Sequence, residues 1–354
     1  GSRSNDLAAS VDASGAEVLL YLGDMYERGT KAEWDYNYGR ASFDGPGDGW
    51  KWGALAEWTQ PTLGNHEAHN YAAYENYWHG RPHWDTFVHG GVRYLNLNSE
   101  CGRVGGCEVG SPQYQFVQQT LAANTHACVV TFWHRPVLSS VTNNYPMRPI
   151  WKLLANNGGD LVLNGHTHSM EVYGPLDGDL NANQGDSTMW EIVAGAGGHA
   201  MTSAVATDPR NVWQKTKTPG ALYMTNIGGA GGNATAIDFA FRNVAGNVML
   251  SGGVPGTGTI DCGGGGGGPG IFSDDFGSGL GKWNQVAGVT IDSTRGDHSG
   301  PPSARAQATD NKRYLRTDLG GTYGSACAAA SVRVASGADA ISLIRFKTAA
   351  NVGI

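Results

Sequence analysis

No run in the chain approaches the ~18 consecutive apolar residues that a membrane-spanning helix needs, and no charged-then-apolar leader opens it. A membrane span is therefore not expected. Excess positive charge is absent too: 24 Lys and Arg stand against 31 Asp and Glu, a formal net charge of −7 with a pI near 5.9. That balance lacks the basic footprint of a nucleic-acid-binding surface, so nucleic acid is not an expected partner. Charge of either sign is scarce, at 16% of residues, and cysteine is limited to five: Cys101, Cys107, Cys128, Cys262 and Cys327. An odd number leaves at least one thiol without a partner in the chain. Cys101 and Cys107 bracket a Gly-rich loop, CGRVGGC, that is expected to close as a disulfide, the alternative being two buried thiols. Such a bridge suits a secreted, extracellular protein.

What is present is room for a core. The 354 residues are 40% hydrophobic, enough for two domains, and 54 Gly with 11 Trp again suit export. Gly1 starts without a Met and Ile354 stops within a strand-like pattern, so a fragment is expected. Composition changes sharply after Cys262, where six glycines, Pro269 and Gly270 form a flexible linker. The expected organisation is a main domain over 1–262, the linker at 263–270, and a truncated, partial β-sandwich over 271–354.

The main domain alternates strand and helix patterns, as an α/β fold does. Ser4 is placed to cap a helix to Asp12, and Glu17 to Leu22 (EVLLYL) reads as a buried strand, too continuously apolar for a half-exposed one. Thr30 is placed to cap a helix from Lys31 to about Arg40, and Tyr71 to Trp78 reads as helical. Val92 to Asn98 alternates as a strand. Ser111-Pro112 predicts a helix to Ala123 with Phe116, Val117 and Leu121 inward. Cys128 to Trp133 is a buried strand, a helix follows from Met147 to Asn156, and Leu161 to Leu163 completes a βαβ crossover. Strands are expected at Trp190 to Ala194, Leu222 to Asn226, Thr235 to Phe241 and Val248 to Ser251. Past the linker, Tyr314 to Thr317, Ala329 to Val334 and Ala340 to Phe346 read as short strands.

Polar residues with metal-binding side chains stand where apolar runs stop: Asp24, Asn65, His134 and His166, with His168 just behind. Taken singly, each has a bland reading, as a turn Asp, a helix cap or a satisfied core histidine. Together they point to one site, because the carboxyl ends of strands in an open α/β sheet share one edge, where ligands bind. A carboxylate, a carboxamide oxygen and three imidazoles suit zinc, iron or manganese, and fit neither a calcium cage nor a thiolate zinc site.

The ordered motifs GD at 23–24, GNHE at 64–67, WHRP at 133–136 and GHTH at 165–168 resemble those of the calcineurin-like metallophosphoesterases, in particular secreted bacterial members related to purple acid phosphatases. SPQYQFVQQTLAAN before the His134 strand and IVAGAGG after GHTH add to the similarity. The resemblance implies a four-layer α-β-β-α sandwich hydrolysing a phosphomonoester or small phosphodiester. It also implies a dinuclear centre of Zn, Fe or Mn in which Asp24 bridges both ions, Asn65, His134 and His166 complete one, and His168 serves the other. His66 would stabilise the transferred phosphoryl group or protonate the leaving oxygen, unless it is only structural. Arg135, where relatives often carry a His, either binds substrate phosphate or faces solvent.

Departures are plain. Nothing before Asp24 matches the family's first Asp motif, so the first strand is expected to be missing. The tyrosine ligand of purple acid phosphatases is replaced by Glu27, with Tyr26 one residue early, and Met170 and Val172 stand where relatives carry Tyr and Arg. The alternative reading is thus a catalytically decayed, phosphatase-like secreted binding or adhesion protein. The C-terminal module resembles a concanavalin or laminin-G type jelly roll, implying possible glycan or cell-surface contact. Asp274 and Asp275 there either bind calcium or sit in a solvated turn.

Overall fold

The apolar runs at Cys128 and Leu161 become central strands of a seven-stranded sheet whose side chains alternate between two buried faces. The computed structural model describes residues 2–39, 52–182, 189–228 and 232–262, and four strand segments at 285–287, 289–292, 303–306 and 314–316. The chain divides into two compact units, Gly1–Pro269 and Gly270–Ile354.

In the first unit, helix α1 (Ser2–Asp12) precedes strand β1 (Leu19–Tyr21), which pairs in parallel with β2 (Thr59–Pro61). Helices α2 (Asn65–Ala68) and α3 (Tyr71–Tyr77) follow. The large sheet has the order β3-β4-β5-β6-β8-β7-β9. Its strands are β3 (Asp85–His89), β4 (Val92–Asn96), β5 (Cys128–Phe132), β6 (Leu161–Asn164), β7 (Met170–Leu176), β8 (Met189–Ala194) and β9 (Asn211–Lys215). β4, β5, β6 and β8 run parallel, linked at β4–β5 by α4 (Pro112–Ala122) and at β5–β6 by α5 (Arg148–Ala155). A three-stranded antiparallel sheet joins β10 (Gly220–Gly228), β11 (Ala234–Asn243) and β14 (Thr257–Asp261), after the small hairpin of β12 (Leu250–Ser251) and β13 (Val254–Pro255).

Three cores make the four layers. Leu95, Val129, Val162 and Val193 face α4 and α5, meeting Val117, Leu121, Ile150 and Trp151. Their neighbours Tyr94, Val130, Phe132, Leu161, Leu163 and Ile192 face the second sheet, against Ile237, Phe241 and Ile260. Beyond it, Leu7, Ala8 and Val11 of α1 pack with Trp34, Tyr38, Tyr74 and Trp78. The chain thus has the expected α-β-β-α sandwich.

β1 corrects one expectation. It is three residues long and only partly buried, although Leu20 and Leu22 meet one core and Leu19 and Tyr21 the other. The continuous apolar run reflects two covered faces, while exposure remains because β2 is its one strand partner among the described residues. β3, β7 and β9 escaped the sequence reading; each is antiparallel, and β3 and β9 form the sheet's edges, where weaker apolar patterning suffices.

Two disulfides form among the described residues. Cys101–Cys107 is the expected one, and Cys128–Cys262 ties the start of β5 to the residue after β14, bridging the two sheets. Their sequence separations are 6 and 134. Chain-entropy reasoning gives the longer loop about 5 kcal/mol and the shorter about 2. No helix among the described residues is long and apolar enough to cross a membrane.

In the second unit, β15 (Gln285–Ala287) pairs antiparallel with β18 (Tyr314–Arg316), and β16 (Val289–Asp292) with β17 (Ser303–Ala306). The linker at 263–270, Asp274, Asp275, Cys327 and the strands expected at 329–334 and 340–346 lie outside the described residues.

Candidate metal centre

Glycines let the backbones of the motifs crowd together. Gly23 has φ +84°, and a Cβ there would sit 2.7 Å from His134 Nδ1 and 2.8 Å from Gly64 N. A Cβ on Gly64 would collide with the backbone nitrogen and carboxylate of Asp24. The GD and GNHE turns therefore touch at a distance only glycine permits. Asp24 and His166 themselves take left-handed backbone, φ +53° and +63°. That conformation costs about 1–2 kcal/mol for a residue with a Cβ, so surrounding contacts must enforce it.

Buried Glu67 supplies much of that enforcement. Its carboxylate accepts N–H bonds from Asp24 (2.9 Å), Met25 (2.7 Å) and Gly64 (2.9 Å), clamping the Asp24 turn to the start of α2. Burial, then repulsion from Asp24, raises the Glu67 pKa. The motif GNHE does not by itself single out Glu67; its place three residues after the helix-capping Gly64 is the signal for this role.

On this scaffold Asp24, His134 and His166 bring their ligand atoms within 4.8 Å of one another. His134 Nε2 lies 2.9 Å from Asp24 Oδ2, 3.1 Å from Asn65 Oδ1 and 3.1 Å from His166 Nδ1. The fully buried His134 donates from Nδ1 to the Leu22 carbonyl at 2.7 Å, which turns Nε2 inward. Burial alone would raise Asp24, but the His134 charge and hydrogen bonds from His134, His166 and the His66 N–H outweigh it and hold the carboxyl well below its usual range. Burial likewise opposes charging His134, yet Asp24 raises it; burial lowers His166. A carboxylate oxygen, a carboxamide oxygen and two imidazole nitrogens facing one point need a cation or a shared proton between them, and this donor set fits zinc, iron or manganese.

The four positions come from two sheets, not one edge as the sequence reading had it. Asp24 and Asn65 follow β1 and β2, whereas His134 and His166 follow β5 and β6 of the large sheet. Packing of the sheets face to face, invisible in periodicity, brings the ends together.

The remaining candidates surround this group. The His66 N–H donates to Asp24 Oδ1 at 2.9 Å, its Nδ1 contacts the Glu27 carbonyl, and its Nε2 lies 3.8 Å from Asp24 Oδ2. Arg135 donates from Nε to Glu100 at 2.6 Å and from Nη1 to His166 Nε2 at 3.3 Å. A small cleft of about 60 Å³ opens there between Arg135, Pro136, Thr142, Asn143, Asn144 and His166. His168 stands apart from the Asp24 group: its Nδ1 donates to the Ala200 carbonyl at 2.8 Å and its ring lies 4.7 Å from that of His199. Tyr26 packs against the outer aromatic core, and burial raises its phenol well above the ordinary value. His199, whose imidazole faces Glu27, was missed; one histidine after a Gly-rich strand end carried no spacing signal.

The calcineurin-like phosphoesterase family profile matches residues 4–170. No curated protein matches the chain by sequence. Among solved structures the chain is similar to the purple acid phosphatase PPD1 from yellow lupin (Lupinus luteus) seeds, with a TM-score of 0.51 at 16% identity over 73% of this chain and 49% of that one. It is also similar to GAP50, the anchor in the inner membrane complex of Plasmodium, with a TM-score of 0.51 at 14% identity over 73% of this chain and 83% of that one. The chain thus spans about half the length of the lupin enzyme. The family match covers residues 4–170, just under half of the chain, and supports a metallophosphoesterase domain there.

Proposed function

We propose that the protein hydrolyses phosphoesters, a phosphomonoester or a small phosphodiester, at a two-cation centre of Zn, Fe or Mn. The observation that carries this reading is the convergence of Asp24 Oδ2, Asn65 Oδ1, His134 Nε2 and His166 Nδ1. These residues would hold one cation, with Asp24 shared and His168 serving the second. When bound, such a pair offsets charge on the phosphate and makes water acidic enough to act as a nucleophile near neutral pH.

The chain's own groups do the rest. With Nδ1–H donating to the Glu27 carbonyl, His66 keeps Nε2 for the leaving oxygen, to which the imidazolium form would give its Nε2 proton and return to the neutral ring. Arg135 reaches His166 Nε2 only while that nitrogen is unprotonated; a neutral His166 that ligates through Nδ1 carries its proton on Nε2, which leaves the Arg135 Nη1 for a substrate phosphate. Glu100 keeps the guanidinium at the cleft.

Two disulfides support an exported, extracellular setting, and residues 271–354 would serve attachment to a glycan or cell surface. The fold does not choose between enzyme and binding protein, since the lupin neighbour is named a phosphatase and the Plasmodium one an anchor. The preserved ligand cluster favours the enzyme. Assays of p-nitrophenyl phosphate and its bis-ester with Zn, Mn and Fe should show turnover that His166→Ala abolishes; equal rates for both proteins would leave the decayed, adhesive reading.

A further inference from the structure

We propose that the cleft between residues 139–143 and 206–210 is the subsite for the organic part of the substrate, and that it takes an uncharged, hydroxyl-rich group, a sugar or polyol. The proposal rests on the phosphoesterase reading above and adds a substrate class to it.

This cleft has a volume of about 470 Å³, within the ~300–1,000 Å³ range of small-molecule sites. The cleft beside Arg135 and His166, at about 60 Å³, falls far below that range and suits a phosphate without its alcohol. Asn143 lines both, so the two are contiguous. Asn144 lines the smaller one, and its buried Nδ2 has no hydrogen-bond partner among the described residues, a donor left for a phosphate oxygen beside Arg135.

Both walls are fixed to the large sheet. The first follows WHRP directly: Glu191 of β8 accepts the N–H groups of Val137 (2.6 Å) and Leu138 (2.9 Å), and Glu171 of β7 accepts the Ser140 N–H at 3.0 Å and its hydroxyl at 2.5 Å. The second hangs from Gln214 of β9, whose Oε1 accepts the Ala206 N–H at 2.7 Å and whose Nε2 donates to the Ala204 carbonyl at 2.9 Å. The Thr202 N–H, donating to the His168 carbonyl at 3.0 Å, ties that wall back to GHTH.

The lining is polar apart from Ala206 and Pro209, and it carries no net charge. Arg210 donates from Nε and Nη2 to Asp208 at 2.8 and 2.5 Å and from Nη1 to the Leu180 carbonyl at 2.9 Å. A bidentate pair of this kind neutralises the guanidinium, so a second phosphate or a carboxylate finds no unpaired cation in the lining. Asn143 Oδ1 accepts the Ser139 N–H at 2.9 Å, which leaves the Asn143 Nδ2 and the Thr207 hydroxyl without protein partners among the described residues. With the two remaining N–H groups of Arg210, these match hydroxyl oxygens. An aryl or alkyl group would strip their water and replace none of its hydrogen bonds.

The test compares glucose 6-phosphate with phenyl phosphate on the full 354-residue chain supplied with Mn²⁺ or Zn²⁺. Thr207→Trp obstructs the cleft and Asn143→Ala/Thr207→Ala removes its donors; both positions are exposed, and melting confirms folding. KM for each ester is measured, and binding is followed by calorimetry. The wild type should show a KM at least tenfold lower for glucose 6-phosphate, and each variant should lose that preference. Equal values in the wild type, or a preference kept in either variant, would overturn the subsite and leave the phosphoesterase reading intact. With neither ester turned over, that reading falls and the calorimetric affinities decide the subsite by the same ratio; absence of binding by both would overturn the two together.

Discussion

Two histidines that are two residues apart in GHTH end in opposite surroundings. His166 joins a half-buried group in which four ligand atoms already face one another, whereas His168 lies beside two exposed side chains that meet at a single 3.3 Å contact. The inner group is enforced by bonds to the buried Glu67 carboxylate and to the Leu22 carbonyl; in the outer one His168 is held by an exposed bond to the Ala200 carbonyl. The difference teaches that one motif can place one imidazole in a rigid, preorganised group and the next in an adaptable, exposed setting. Preorganisation would favour the inner group for a cation, because fewer side chains would have to be ordered on binding.

The largest test of that contrast is to remove each side in turn. His134→Ala should lower phosphoesterase turnover by about 10³-fold and abolish the tighter of two binding events, whereas His168→Ala should cost about 10–100-fold and spare it. Calorimetry reads the affinities directly, and two equally tight sites in the wild type would remove the distinction.

Glu67→Ala should act next. Three N–H groups lose their acceptor, and the expected destabilisation is about 3 kcal/mol in denaturant unfolding, with weaker metal binding at the inner site. A stability loss with unchanged inner affinity would show that the clamp does not position Asp24.

Arg135→Ala is predicted to raise KM for an aryl phosphate about tenfold while kcat changes little, because the guanidinium contributes binding at the cleft and not proton transfer. A fall confined to kcat would place Arg135 in the chemical step instead.

The smallest effect concerns support from behind the inner group. Glu191 is buried and accepts N–H bonds from Val137 and Leu138, just past His134 and Arg135. Burial raises its pKa from 4.5 to about 8. Between those values the folded protein keeps a proton that the unfolded chain has released. Stability from this group is therefore full below pH 4.5 and is lost as pH climbs through 8, by up to about 1.4 kcal/mol per unit. Unfolding at pH 5, 7 and 9 should show that slope in the wild type and a flatter one in Glu191→Gln; parallel slopes would assign it elsewhere.

Much of this was legible beforehand. Ser111-Pro112 marked the start of α4, and the Ser111 side chain does accept from the Tyr114 N–H. Cys128 to Phe132 and Leu161 to Asn164 read as buried strands because nearly every side chain meets one core or the other. The Cys128–Cys262 bridge was not legible, since 134 residues separate its ends and only stacking of the two sheets aligns them. β7 was hidden because Glu171 interrupts its apolar run, yet that carboxylate is buried and satisfied by Ser140, Ser169 and Tyr173.

The sequence by itself determined which chemistry is available: the order of GD, GNHE, WHRP and GHTH names the carboxylate, carboxamide and imidazoles, and the glycines before them permit the backbones to touch. Only the tertiary structure decided how these are shared out. His166 and His168 are two residues apart, but the left-handed turn at His166 sends one ring toward Asp24 and leaves the other beside His199 and Glu27, residues that chain distance gave no reason to pair.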